Sequence, residues 1–265
     1  MNVTPFDTQP YRSWFADRLR NADALGRQPR STLFDVNDAE AILCCALSAA
    51  AAYTWPGRGN DEKRFVEFLV EYTRNTDPPV KCTSVPLLHV QLRTPDKHGK
   101  PDEPVVAKWK AKAQRVLEGK IHHATGGIDT RALRWSDIDE TDDVVAGWLT
   151  SSSLIPPKEV RRRVRKATYA AIIYSDLRCG LVHELRWGDR LGRWSLDRNT
   201  EPHYITFVYP QGAPTRRLCF PYEYLRQTIE DAIKSACDWL DTSREFVEWC
   251  LPTRAVPSCW WADGR

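Results

Sequence analysis

Apolar residues recur at helical spacing along most of this chain, and that period constrains its fold more than any other feature. Intervals of three and four residues between apolar positions predict helices over 39–54, 61–72, 105–119, 142–149 and 222–240. One stretch, 204–220, instead has high β propensity on both sides of a Pro/Gly turn, which predicts a hairpin. We therefore predict a mainly α protein with one β-hairpin, at about 203–221, inserted before the last long helix.

The longest predicted helix begins at Pro156-Pro157, because proline suits the first turn of a helix. It ends at Trp187-Gly188. Between these limits one face carries a continuous apolar stripe, formed by Val160, Val164, Ala167, Ala171, Tyr174, Leu181 and Leu185. The spacing predicts a single helix over 157–185.

The length of 265 residues allows one large domain with a substantial core. Residues 1–32 predict an N-terminal arm with one short helix, followed from residue 21 by a polar linker. Residues 33–245 predict a single helical domain. Residues 246–265, which include Trp260-Trp261 and two prolines, predict an irregular tail.

Charge and cysteine usage narrow the class of protein. The 38 Lys and Arg residues exceed the 35 Asp and Glu residues by three, so bulk charge does not indicate nucleic-acid binding. The N-terminus has no apolar core behind a basic head, and the apolar stretch 41–55 is shorter than the ~20 residues of a membrane span. The eight cysteines include no C-x-x-C, so we expect reduced, buried thiols in a cytoplasmic protein without membrane association.

The sharpest local feature is an arginine and a histidine near the end of the long helix. Arg178 and His183 are separated by four residues in LRCGLVHEL. Arginine is a permanent, forked donor for a phosphate, and histidine takes or gives a proton near neutral pH. Together they can cut a phosphodiester without a metal or cofactor: His183 acts on the ribose 2′-hydroxyl or the leaving oxygen, and Arg178 holds the charge that develops on the phosphate.

This spacing alone is a weak signal, since the chain contains four Arg/His pairs with four to six intervening residues. Only the pair Arg178/His183 continues a helical pattern with apolar neighbours. The alternative is a structural histidine at a core or interface position, with Arg178 paired to Asp176 or Glu184.

The stretch 177–185 resembles the motif helix of the HEPN superfamily, small helical domains that often act as metal-independent endoribonucleases in toxin–antitoxin and phage-defence systems. The signature of that superfamily is arginine, four to six residues, then histidine. Residues 38–72 are similar to the helical pair that precedes the motif in many members. The resemblance implies a HEPN-like bundle, RNA as substrate, a homodimer whose two Arg/His pairs face one cleft, and an antitoxin or defence protein as partner.

Asp176, Cys179 and Glu184 surround the pair and are its candidate supporting residues. Superfamily members usually carry Asn or Asp directly after the arginine, where this chain has Cys179, a weak hydrogen-bonding partner. Cys179 and the hairpin favour an alternative function, a catalytically inactive HEPN-like module that binds RNA or protein. A regular helix separates residues five apart by about 140°, so the pair needs either the reach of the arginine or a local distortion, for which Gly180 is the candidate.

A basic stretch precedes the motif and supplies candidate RNA-binding residues, Arg161, Arg162, Arg163, Arg165 and Lys166. The alternative is a solvated helix face, and a helical scaffold without any nucleic-acid role is a third possible function. Trp187 and Trp194 flank the motif helix and are candidates for base stacking. His122-His123 lacks a cysteine or acid at zinc-finger spacing, so no metal site is predicted.

Overall fold

A computed structural model describes residues 8–27, 32–55, 61–96, 100–128, 131–150, 154–184, 186–193, 199–208 and 214–242. Within these residues the fold is mainly α, as predicted. Its helices are α1 (Gln9–Gly26), α2 (Leu33–Thr54), α3 (Asp61–Tyr72), α4 (Val85–Arg93), α5 (Pro104–Thr125), α6 (Asp142–Thr150), α7 (Pro157–Arg165), α8 (Tyr169–Ile172) and α9 (Tyr222–Thr242).

The strands form two small antiparallel sheets. One pairs β1 (Cys82–Thr83) with β3 (Glu140–Thr141). The other places β4 (His203–Phe207) between β2 (Leu133–Arg134) and β5 (Thr215–Cys219), with Tyr204 opposite Leu218. The predicted hairpin is confirmed as β4 and β5, and β2 adds a third strand that is too short to show a period in the sequence.

The predicted N-terminal arm and its linker differ from the structure, because α1 continues to Gly26 and belongs to the main core. Its buried face consists of Phe15, Leu19 and Ala22. The polar residues beyond position 20 cover the outer face and bind α9: Asp23 accepts hydrogen bonds from Tyr222 and Arg226. The predicted tail, 246–265, lies outside the described residues.

Helix α2 is the centre of the fold, since α1, α3, α9 and the chain around the Arg/His motif all pack on it. Its many buried alanines let these neighbours approach closely. It begins at Leu33, six residues before the predicted start, because a reciprocal capping box closes its first turn. In that box Asp35 N donates to Thr32 Oγ1 over 3.3 Å, and Thr32 N donates to the Asp35 carboxylate over 2.6 Å.

The single long helix predicted over 157–185 is wrong. Helix α7 ends at Arg165, and Thr168 is extended before α8 begins. The break is stabilised by pairing to another part of the chain: Ser84 N donates to Ala167 O, and Ala170 N donates to Val80 O. After α8 the helix widens into two π-helical segments, Ile173–Arg178 and Gly180–Glu184. The apolar stripe runs through the break because all of these pieces face one core.

Candidate active site

The two motif side chains meet directly. Arg178 Nη1 lies 2.8 Å from His183 Nε2. In a π-turn the backbone bonds run between residues five apart, so positions i and i+5 lie on the same side of the helix. A regular α-helix would separate these two side chains by about 140°. The local distortion, one of the two routes that the sequence left open, is therefore the one that forms this pair.

In this contact Nε2 of His183 is the acceptor, because a guanidinium only donates hydrogen bonds. The Arg178 guanidinium lies 5.6 Å from the centre of the Tyr174 ring. Arg178 is half-buried and His183 is exposed, so a ligand reaches the pair from solvent without unfolding.

Gly180 is required for a close approach of the backbone. A Cβ at this position would lie 2.3 Å from the carbonyl oxygen of Arg186 and 3.1 Å from Gly188 N. Arg186 N also donates to Gly180 O over 3.2 Å. The chain after the motif, residues 186–193, thus folds back onto the π-helix, and we call it the return segment. Gly180 makes room for this contact.

We expect Gly180→Ala to lower the free energy of unfolding by about 1–3 kcal/mol, because the added methyl group overlaps a backbone carbonyl that must then shift. Urea denaturation monitored by circular dichroism measures the loss. Gly119→Ala on α5 is the matched control, since a Cβ there meets nothing within 4 Å and alanine favours the helix by up to ~1 kcal/mol. Equal stability of the two variants would contradict the assigned role of Gly180.

Of the predicted supporting residues, Asp176 holds the return segment and does not pair with Arg178. Its carboxylate is buried and accepts hydrogen bonds from Ser175 Oγ over 2.7 Å and from Arg190 Nε over 2.9 Å. Its backbone oxygen accepts from Gly188 N over 2.8 Å. Asp176 therefore positions the return segment against the π-helix.

The other two supporting residues directly follow the two members of the pair in the sequence, Cys179 after Arg178 and Glu184 after His183. Glu184 is exposed and binds Arg186, with 2.7 Å between Oε2 and Nε. Cys179 is half-buried, with its sulfur 3.9 Å from Arg178 Nη1. Burial, together with the neighbouring Cys179, raises the pKa of Tyr174 to about 12, so its ring stays neutral beside the guanidinium.

Two of the five candidate RNA-binding residues in the basic stretch are not available at the surface, which corrects the prediction. Arg163 and Arg165 are buried, so neither offers its guanidinium to an RNA. Arg163 Nη1 lies 2.6 Å from Asp96 Oδ1, and Arg165 Nε lies 3.4 Å from Asp142 Oδ2. Arg163 and Lys110 hold the pKa of Asp96 well below its usual range. These acidic partners are 67 and 23 residues away, so the local pattern gives no sign of them.

The remaining three basic residues reach the surface to different degrees. Arg162 is half-buried and binds Glu159, with 2.6 Å between Nη2 and Oε1. Arg161 and Lys166 are exposed. The surface offered to a polyanion by this stretch is therefore smaller than its sequence suggests.

The sequence motif did not identify one residue that contributes to the site. Glu40 on α2 is 1% exposed and pairs with Arg193, whose guanidinium stacks on Trp187 at 4.9 Å from the ring centre. This ion pair connects Arg193, the last residue of the return segment, to α2. The partners are 153 residues apart, so no local signal connects them. The stacking also occupies a face of Trp187, and Trp194 lies outside the described residues.

We expect the Glu40→Gln variant to lose less stability than the wild type as the pH rises from 5 to 8. Burial raises the pKa of Glu40 to about 7 even though Arg193 opposes the shift. This pKa lies above that of a glutamate in the unfolded chain, so the native state binds the proton more tightly. The free energy of unfolding of the wild type therefore falls between pH 5 and pH 8, by about 3 kcal/mol at most. Urea denaturation at both pH values tests this, with Glu230→Gln on exposed α9 surface as control. An identical pH dependence in wild type and Glu40→Gln would refute it.

The described part of the chain contains no group of three or more His, Cys, Asp or Glu side chains arranged to hold a metal ion. The cysteines in these residues are free thiols. Four are buried as expected, whereas Cys179 is half-buried and Cys45 is exposed. None of the helices within these residues combines the length and the hydropathy needed to cross a bilayer.

Comparison of the chain with protein-family models, with curated proteins and with solved structures found no match. The geometry around Arg178 and His183, and the sequence motif that contains them, are therefore the features that indicate a function.

Proposed function

We propose that this protein is a metal-independent endoribonuclease of the HEPN type, with Arg178 and His183 as its catalytic residues. The observation that carries the proposal is the 2.8 Å contact between Arg178 Nη1 and His183 Nε2 on an accessible face of the π-helix. It joins a proton acceptor to a permanent cation, the two groups that cleavage of RNA by its own 2′-hydroxyl requires.

The contact also suggests how the reaction begins. A phosphate competes for Arg178, because charge-assisted bonds from a guanidinium to an anion are stronger than its bond to a neutral ring. When Arg178 turns to the phosphate, Nε2 of His183 is free to take the proton of the 2′-hydroxyl. The bond from O2′ to phosphorus forms, the bond from phosphorus to O5′ breaks, and the leaving O5′ takes a proton from solvent. His183 then returns the proton of the 2′-hydroxyl to solvent. The products are a 2′,3′-cyclic phosphate and a 5′-hydroxyl.

The proposal includes RNA as the substrate, bound in part by the exposed Arg161 and Lys166. It also includes a homodimer and an antitoxin or defence protein as partner, both of which follow from the resemblance to the HEPN superfamily. A role in phage defence or in a toxin–antitoxin system belongs to the same proposal.

A specific observation favours a second candidate, a HEPN-like module that binds RNA or protein without cleaving it. Arg178 occupies the nitrogen of His183 that would act as the base, and Cys179 stands where superfamily members usually carry an amide or carboxylate. If the guanidinium does not leave the ring on binding, no base is available.

Incubation of the purified protein with a labelled structured RNA in EDTA tests both candidates. We expect cleavage with 2′,3′-cyclic phosphate ends, identified by mass spectrometry, for the wild type and for His123→Ala, which removes an exposed histidine on α5. We expect cleavage by His183→Ala to be slower by a factor of about 10²–10⁴. RNA binding without cleavage by the wild type would favour the second candidate, and undiminished cleavage by His183→Ala would exclude the proposed site.

A further inference from the structure

An apolar cleft lies between α1 and α2, on a part of the surface that the proposed function does not use. Its volume is about 480 Å³, and we call it the α1/α2 cleft; its lining residues are Pro10, Tyr11, Trp14, Phe15, Ala49 and Tyr53. The rings of Tyr11 and Tyr53 stack at 3.7 Å and form one wall. Trp14 is 39% exposed, although an indole is among the side chains that gain most from burial.

The cleft opens at the end of the molecule where α9 finishes. Arg12 on the first turns of α1 pairs with Asp238 and Asp241 on the last turn of α9, over 2.8 and 2.6 Å. The C-terminal end of α9, which finishes at Thr242, therefore lies beside the first turns of α1, the part of the helix that carries Tyr11. Any chain that continues from α9 starts within one or two helical turns of the cleft.

The 23 residues that continue the chain, 243–265, have a composition suited to such a cleft. They include large apolar side chains at intervals, namely Phe246, Val247, Trp249, Leu251, Val256, Trp260 and Trp261. At about 3.3 Å per residue, fewer than ten residues reach from Thr242 past Trp14. Residues 1–7 start from the same end of the molecule but offer a single aromatic side chain, Phe6.

We propose that residues 243–265 dock in the α1/α2 cleft of their own chain, with an aromatic side chain against Trp14 and the Tyr11–Tyr53 stack. Burial of one large apolar side chain in such a cleft contributes about 1.5–3 kcal/mol, and the covalent connection to α9 keeps the segment at high local concentration. The docked segment covers the exposed indole and connects α9 to both helices of the N-terminal pair.

Photo-crosslinking of the full chain tests the proposal. The photoreactive residue p-benzoylphenylalanine replaces Trp14, or in the control Val208, which is 64% exposed on the hairpin. Unlabelled and ¹⁵N-labelled chains are mixed before irradiation, so that mass spectrometry separates crosslinks within a chain from those between chains. We expect residue 14, and not residue 208, to crosslink to 243–265 of the same chain.

Three results would overturn the proposal: crosslinks between chains, which would make the cleft a homodimer interface; crosslinks to residues 1–7; or a yield no higher than at position 208. A second measurement uses native cysteines in case the substituted chain does not fold. Cys45 is exposed one turn before Ala49 on the same face of α2, and 243–265 contains Cys250 and Cys259. Mild oxidation should join Cys45 to one of them within a chain, and absence of that disulfide would equally refute docking.

Discussion

Replacement of His183 by alanine is expected to lower the single-turnover rate of RNA cleavage by a factor of about 10²–10⁴, which is the usual contribution of a general base. The melting temperature should stay within a degree or two of the wild-type value, because the ring is exposed and its hydrogen bond to Arg178 lies at the surface. Rates are measured with RNA end-labelled and enzyme in excess, and His123→Ala is the control.

Substitutions of Arg178 distinguish the contribution of its positive charge from that of its forked hydrogen-bonding geometry. Arg178→Ala removes the group that would hold the phosphate charge, and we expect a loss of about 10²–10³ in the same rate. Arg178→Lys keeps the charge but loses the forked donor, so it should restore only part of the activity. An alanine variant of either residue that cleaves within threefold of the wild-type rate would show that the pair is structural.

The second large effect concerns stability. Asp139→Ala is expected to lower the free energy of unfolding by about 3–5 kcal/mol, because it leaves several buried donors without an acceptor. The Asp139 carboxylate is buried and accepts hydrogen bonds from Tyr169 Oη over 2.6 Å, from Tyr204 Oη over 2.5 Å and from Val85 N over 3.0 Å. It thereby joins α8, β4 and the first turn of α4.

Urea denaturation of Asp139→Ala measures this loss, and Asp17→Ala on exposed α1 surface should change stability by no more than about 0.5 kcal/mol. Asp139→Asn keeps an acceptor and should lose less than the alanine variant. Burial raises the pKa of Asp139 to about 7, so the asparagine variant should also lose less stability than the wild type as pH rises from 5 to 8. A loss below 1 kcal/mol for Asp139→Ala would contradict the assigned network.

Period and propensity in the sequence are sufficient for α2, α3, α5, α6, α9 and the hairpin, because each of these elements buries a face of its own. They do not identify α4 (Val85–Arg93) as a helix. They are insufficient at 166–168, where the apolar stripe continues although the backbone turns away to pair with 80–84. The motif identifies Arg178 and His183, but their contact depends on a π-turn that no residue pattern announces. The acidic partners of Arg163 and Arg165 come from other parts of the chain, so the basic stretch looked more available for RNA than it is.

Because the return segment contacts the π-helix, the motif depends on residues outside its own helix and cannot be transferred alone to another protein. A π-turn is rare and is less favourable than an α-turn of the same residues, so contacts outside the helix must keep it open. Here those contacts come from Asp176 with Arg190, from Gly180 with Arg186 and from Glu40 with Arg193. A peptide of residues 169–184, or a graft of those residues onto another helix, would relax to the ordinary winding and separate arginine from histidine. The geometry of the Arg178/His183 pair therefore depends on the folded domain as a whole, and transplanting residues 169–184 would not transfer it.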